Sequence, residues 1–255
     1  MFSNQRRDQI ASLVQQQGQV SVKELADLFN LSEDSIRKDL ADLESQGILK
    51  RTYGGAISSH KSLLINQANQ RRLSHVLAKR NIAQAAANLL RPNRLFFLDI
   101  SSSAVAIALA LQPANYSLKI ITNMVDVLAI LAKNPQIELY FAGGLINQSR
   151  DGFSDVLNLE FMSKFRPDIA FIGASGVDLK KNSLSVRNPA EGVHKARIIE
   201  LSKETYVMVE GQKFGVEGNY QFSTIDKVSG LITEKKLSEE ESALAEKLGV
   251  KIISA

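Results

Sequence analysis

Residues 31–47 read LSEDSIRKDLADLESQG. An apolar stripe runs through the stretch: Ile36, Leu40 and Leu43 fall within roughly 60° of one another at about 100° per residue. Ser32 is placed to cap the helix that carries them and Gly47 to end it, so the spacing predicts a helix from about Glu33 to Gln46. Lys38 lies nearly opposite the stripe, and Ser35 and Arg37 flank the outer face. The stretch also holds the acids Glu33, Asp34, Asp39, Asp42 and Glu44. Taken alone it reads just as well as a surface helix with a solvated face, on which Lys38 pairs with Asp42 at i,i+4. The neighbouring sequence decides.

Upstream stands SVKELADLF (21–29). Ser21 followed by Glu24 has capping-box spacing, and Val22, Leu25, Ala26 and Phe29 share one helical face. Asn30 and Leu31 make a short turn into the next helix. Earlier still, Ile10, Leu13 and Val14 mark a helix over 4–16 that Gly18 ends. Downstream, ILKRTYGGAI (48–57) allows two short strands around Gly54 and Gly55. Helix, helix, tight turn, helix and β-ribbon make a winged helix-turn-helix over residues 1–58. Its third helix enters the major groove with its N-terminal residues at base edges. Candidate DNA contacts are Ser32 and Ser35 at the start of that helix, Lys38 toward bases, and Arg37 toward phosphate. On the ribbon, Lys50, Arg51 and Tyr53 would grip phosphate or reach a minor groove. Arg6 and Arg7 are poor dipole partners at the start of the first helix, and an anionic partner would explain them.

DSIRKDLADLESQGILKRTYGGA (34–56) resembles, without gaps, the N-terminal signature of the DeoR family of bacterial sugar-metabolism repressors. That signature has a Thr-Ile-Arg-Arg-Asp-Leu core, a Leu-Glu…Gly turn and a wing ending Arg-x-His-Gly-Gly-Ala. Ser35 stands for the threonine, Lys38 for the second arginine and Tyr53 for the wing histidine. A hydroxyl, a cation and a planar ring are kept.

Length and charge frame the rest. The chain has 255 residues, 44% hydrophobic and 23% charged, enough for two modest domains with real cores. It has no cysteine, which excludes zinc fingers, iron–sulfur sites, disulfide scaffolds and thiol nucleophiles. The histidines, His60, His75 and His194, are scattered, so no His-based metal site is expected. No apolar run reaches the roughly 18 residues of a membrane span, and MFSNQRRDQI lacks the apolar region of a secretory signal. A cytoplasmic protein without membrane association is the expectation. Net charge is +4 but unevenly spread: −1 over residues 1–60, +7 over 61–94, −2 over 95–255. A DNA contact from 1–60 must therefore arise by segregating charge. The stretch 61–94 has no acid and reads either as a solvated linker and helix face or as a segment near DNA phosphates.

Residues 59–80 are read as a basic linker and 81–255 as an α/β domain. RNIAQAAANLL (80–90) is an amphipathic helix. Short apolar strands then alternate with helices: LFFLDI (95–100), LKIITN (118–123), IELYFAGG (137–144), DIAFIGASG (168–176) and TYVMVEG (205–211). KVSGLITE and VKIIS follow, with EEESALAEKLG helical between them. The alternation implies a mostly parallel sheet covered on both faces, with ligands bound beyond the carboxyl ends of its strands. The residues at those ends are Asp99, Ser101, Ser102, Ser103, Thr122, Asn123, Gly143, Gly144, Ser175, Gly176 and Asp178, joined by Glu191, Lys195 and Lys213. Hydroxyls and free N–H groups at a helix start suit a phosphate, lysines add charge, and carboxylates or Asn suit sugar hydroxyls. Polar residues at strand ends also serve as plain turn and cap chemistry.

This body resembles the effector domain of DeoR-type regulators, related in fold to ribose-5-phosphate isomerase and glucosamine-phosphate deaminase. The family's Thr-Asn, Gly-Gly, Gly-Ala-x-Gly, Glu-x-x-x-Lys and Lys-Phe-Gly elements appear as TN, AGG, GASGVD, Glu191…Lys195 and KFG. Arg71 and Lys79 match residues that bridge head to body in the family. Ser101 replaces the glycine of the phosphate loop, Asp155 a glycine before the next helix, and Glu210-Gly211-Gln212 an Asp-x-Ser-like run. A Cβ at 101 crowds a phosphate held by backbone N–H groups, and an acid at 155 repels one if it faces the pocket.

The resemblance implies a transcriptional repressor of a carbohydrate operon. It would bind double-stranded operator DNA as a homodimer or homotetramer, with a phosphorylated sugar or related metabolite as effector and no cofactor. Two alternatives stand beside it. One is a sugar-phosphate isomerase or deaminase with a DNA-binding head, Glu191 acting as base with Lys195 or Lys213. The other is a DNA-binding regulator whose effector pocket has decayed.

Overall fold

The computed structural model describes residues 3–58 and 70–255. It divides into two compact units, residues 1–70 and 71–255. His60 and the linker residues 59–69 lie outside the described residues.

The first unit contains α1 (Ser3–Gln17), β1 (Gln19–Ser21), α2 (Val22–Phe29), α3 (Glu33–Ser45), β2 (Leu49–Thr52) and β3 (Gly55–Ser58). Ser21 and Glu24 form the expected capping box at α2. Asn30 ends that helix in the left-handed conformation, φ 51°, where Asn is one of the few side chains tolerated. Ser32 caps α3, its side chain accepting from the Ser35 N–H. Ile36, Leu40 and Leu43 are buried as the stripe requires, against Ile10, Val14 and Leu25. Phe29, expected on the same core face as Leu25, is only half-buried. The wing hairpin forms where the Gly54-Gly55 pair placed it, but the sheet has a third strand. β1 pairs antiparallel with β3 in the order β1-β3-β2. Gly55 faces Ser21, and a Cβ there would come within 2.0 Å of the Val20 carbonyl oxygen. Close approach of β1 therefore requires glycine at 55. β1 was not foreseen because three residues carry no periodicity.

In the second unit residues 71–73 are helical and α4 spans Val76–Ala87, so much of the later part of the expected linker is already helical. A seven-stranded parallel sheet follows: β4 (Leu95–Leu98), β5 (Leu118–Thr122), β6 (Ile137–Phe141), β7 (Ile169–Gly173), β10 (Glu204–Met208), β12 (Gly230–Thr233) and β13 (Lys251–Ser254). Its spatial order is β13-β12-β10-β7-β4-β5-β6. The helices are α5 (Ser102–Leu111), α6 (Val125–Leu131), α7 (Val156–Met162), α8 (Pro189–Leu201) and α9 (Glu239–Lys247). Two cores flank the sheet. Phe96 and Leu98 pack with Ile82 and Ile107 on one face, and Phe97 with Met162 and Ile198 on the other. The strand period of two sends adjacent residues to opposite layers. Among the described residues no helix is long and apolar enough to cross a membrane.

One part of the body departs from the sequence reading. DIAFIGASG is not a single strand: β7 stops at Gly173, and β8 (Gly176–Asp178) belongs to a separate antiparallel sheet. That sheet has the order β11-β9-β8, with β9 (Ser183–Val186) and β11 (Tyr220–Ser223). Gly176 pairs with Ser185 inside it, and a Cβ at 176 would come within 2.0 Å of the Val216 carbonyl oxygen. Glycine is therefore required at 176 by packing within this small sheet.

Candidate functional site

In the first unit, α3 and β2 border an open groove of about 500 Å³ lined by Asp34, Ser35, Arg37, Lys38, Ala41 and Arg51. Every acid of α3 holds an arginine. Arg37 donates to Asp34 Oδ1 at 2.8 Å and to Glu33 Oε2. Glu44 accepts the Arg51 backbone N–H and Nε, both at 2.8 Å. Those two bonds hold the Glu44 carboxyl below the usual carboxylate range. Asp42 accepts from Arg7 at 2.7 Å. Asp39 takes Arg6 in bidentate fashion, at 2.6 and 3.1 Å. The side chains of Arg6 and Asp39 are 15% and 7% exposed.

Arg6 and Arg7 find anionic partners within the unit itself. These are Asp39 and Asp42 on α3, so both arginines lock α1 to the back of that helix. Lys38 is exposed, and among the described residues it has no hydrogen bond or ion pair. Ser32 and Ser35 share a hydroxyl–hydroxyl bond of 3.0 Å at the helix start. Lys50 is exposed on β2, and Tyr53 is fully exposed at the wing tip.

In the second unit the polar residues at the strand ends fall into two separate sets. Asp99, after β4, accepts the Gly173 N–H at 2.8 Å through Oδ2, and Lys195 donates to the same oxygen. Lys195 also lies 3.1 Å from Glu191 Oε1. Burial works against the Lys195 charge, but Asp99 and Glu191 outweigh it and raise its pKa above the ordinary lysine value. Asp99 Oδ1 is buried without a partner, as is Asn123 Oδ1, while Asn123 Nδ2 donates to Phe153 O at 2.7 Å. The other set lies after β10. Lys213 pairs with Glu210 at 2.8 Å, and the far oxygen of Glu210 is 3.7 Å from Lys79. Lys79 donates to the carbonyls of Arg71, at 2.7 Å, and of Ser74. Burial lowers the Lys79 pKa against the pull of Glu210.

Several expected effector residues are engaged by the backbone. Thr122 donates to Leu98 O at 2.8 Å and accepts the Met124 N–H at 3.1 Å, so its hydroxyl ties the end of β5 to β4. Ser101 caps α5 by accepting the Ala104 N–H. Ser102 is half-buried and Ser103 buried in the first turn of α5. Ser175 pairs with Ser185 through its backbone. Asp155 caps α7, accepting the Asn158 N–H at 3.2 Å. Its carboxylate fits only because residue 144 is glycine, where a Cβ would lie 2.3 Å from Asp155 Oδ1. Gly143 has open space at its Cβ position and Asp178 turns the chain after β8.

Sequence reasoning missed the pair behind this face. His194 and Asn158 are bonded to each other, and Asn158 also donates to the carbonyls of Ala142 and Gly143. Burial, reinforced by the Lys195 charge, pushes His194 down to about 4. No local pattern joins residues 36 positions apart.

The family description "DeoR-like helix-turn-helix domain" matches residues 6–62, and "DeoR C terminal sensor domain" matches residues 74–235. The glycerol-3-phosphate regulon repressor of Escherichia coli (strain K12) is 32% identical over 236 residues, 92% of this chain and 92% of that protein. The L-fucose operon activator of Haemophilus influenzae is 28% identical over 236 residues, 92% of this chain and 94% of that protein. Among solved structures, ribose 5-phosphate isomerase A of Methanocaldococcus jannaschii aligns over 53% of each chain, with TM-score 0.40 and 18% identity.

Proposed function

The chain belongs to the DeoR family of DNA-binding transcriptional regulators, and we propose that it represses a carbohydrate-utilisation operon in response to a phosphorylated polyhydroxy metabolite. The observation that carries the effector half is the pair of buried, unpartnered acceptors, Asp99 Oδ1 and Asn123 Oδ1, at the carboxyl edge of the sheet. A buried acceptor without a donor is costly, and a sugar hydroxyl is the donor that would satisfy it. The cations of both polar sets are already neutralised, Lys195 beside Asp99 by two carboxylates and Lys213 in the other set by Glu210. A phosphate would draw Lys213 from Glu210, so its charge would be exchanged for another and not simply added.

For the DNA half, Ser35 and Lys38 would meet base edges, with Arg37, Lys50, Arg51 and Tyr53 toward the backbone. Two copies on paired half-sites would multiply a modest single contact. The effector must bind the DNA-competent and DNA-free conformations unequally to shift operator affinity.

The test is ligand-induced thermal stabilisation of the full chain by sugar phosphates, free sugars and nucleotides. A true effector at about 100 times its dissociation constant adds roughly 2.7 kcal/mol. One phosphorylated sugar standing out from its free sugar would support the proposal. Silence across the panel would remove the sugar effector and leave a DNA-binding regulator controlled otherwise.

A further inference from the structure

The groove beside α3 contains a contradiction that DNA binding alone does not resolve. Residues 1–60 carry a net charge of −1, and two of the cations that border the groove are held by carboxylates of the same unit. Arg37 is shared between Glu33 and Asp34. Arg51 is the more specific case. Glu44 Oε1 accepts its backbone N–H and Glu44 Oε2 its Nε, while among the described residues no bond engages its two terminal nitrogens. Glu44 therefore fixes β2 to the last turn of α3, turns the guanidinium toward the groove and cancels its charge. Lys38, on the same groove, has no such counter-charge among the described residues.

We propose that Glu44 is a specificity-determining positioning residue: it holds Arg51 neutralised, so that the wing gains little from arbitrary DNA phosphates and engages only when base contacts by α3 seat the duplex. Non-specific affinity comes almost wholly from phosphate neutralisation and counterion release, whereas operator affinity adds base contacts. An internal carboxylate competing with phosphate for one arginine therefore weakens non-specific binding more than specific binding. Exposed ion pairs are individually weak, so the expected effect is a factor of a few and not orders of magnitude.

The inference rests on the reading of this unit as the DNA-binding head, and the experiment separates the two. The full chain first selects duplexes from a random-sequence library. If no sequence is enriched, the head assignment fails before Glu44 is tested. With an enriched duplex and a scrambled duplex of equal composition, affinities of the parent, Glu44→Gln and Glu44→Ala are measured across salt concentrations. Glutamine keeps an acceptor for the Arg51 backbone N–H and removes the charge, while alanine removes both. Glu44→Gln is expected to raise affinity for scrambled DNA about threefold. It should also steepen that complex's salt dependence by about one phosphate contact, with a smaller change on the selected duplex. Equal changes on both duplexes, or an unchanged salt slope on scrambled DNA, would overturn the proposal and leave Glu44 a brace for the wing.

Discussion

Replacing Arg6 by alanine distinguishes the sequence reading of that residue from the structural one. Asp39 is nearly buried on α3, beside Ile36 and Leu40, and Arg6 satisfies both of its oxygens. Removing the guanidinium strands a carboxylate in low-dielectric surroundings. Breaking a buried pair from one side costs about 3–5 kcal/mol. Arg6 retains some exposure, so water can reach the vacated side and the lower figure, about 3 kcal/mol, applies. A unit of this size is stabilised by only about 0.05–0.15 kcal/mol per residue, so the loss consumes much or all of its margin. At roughly 4–8 °C per kcal/mol for a small domain, its transition should fall by about 12–24 °C. The assay is calorimetry of the full chain, following the transition assigned to the head. Arg6→Met with Asp39→Leu should recover most of the loss, because no charge is left buried. An Arg6→Ala variant that melts within about 1 kcal/mol of the parent, but loses about one unit of salt slope in DNA binding, would refute the reasoning. Arg6 would then be a phosphate contact.

Three further outcomes follow from other residues. Lys38→Ala should cost about 1–3 kcal/mol at the operator and much less on scrambled DNA, read by binding isotherms on both. His194, buried and pushed down to about 4 from 6.5, binds its proton more readily in the unfolded chain. Stability should therefore fall as pH drops from about 6.5 toward 4, by about 3 kcal/mol in all, and His194→Gln should flatten denaturant midpoints across that window. Lys213→Ala should abolish release of operator by the effector while leaving effector-free DNA binding intact; a variant that still releases DNA normally would remove Lys213 from the sensing site.

The helices and most of the sheet were legible because their signals are local. Ser21 with Glu24, the Ile36–Leu40–Leu43 stripe and the Gly54-Gly55 wing each lie within a few residues. Alternation of strands such as LFFLDI with helices such as EEESALAEKLG likewise specified a covered parallel sheet. The small antiparallel sheet was illegible because β8, β9 and β11 are short and their pairing spans up to 40 or so residues of chain.

Charge pairing was decided by tertiary structure alone. Nothing in QRRDQ identifies Asp39 and Asp42 as the partners of Arg6 and Arg7, 33 and 35 residues away. Nothing near Asp99 announces Lys195, 96 residues on. The sequence listed the polar groups at the strand ends, but only packing showed that Thr122 and Ser101 are engaged by the backbone while Asp99 and Asn123 each keep an open oxygen. Periodicity reports which face of an element is buried, since that depends on neighbours three or four residues apart. What a side chain touches on that face depends on which other element folds onto it, and that information exists only once the chain has closed on itself.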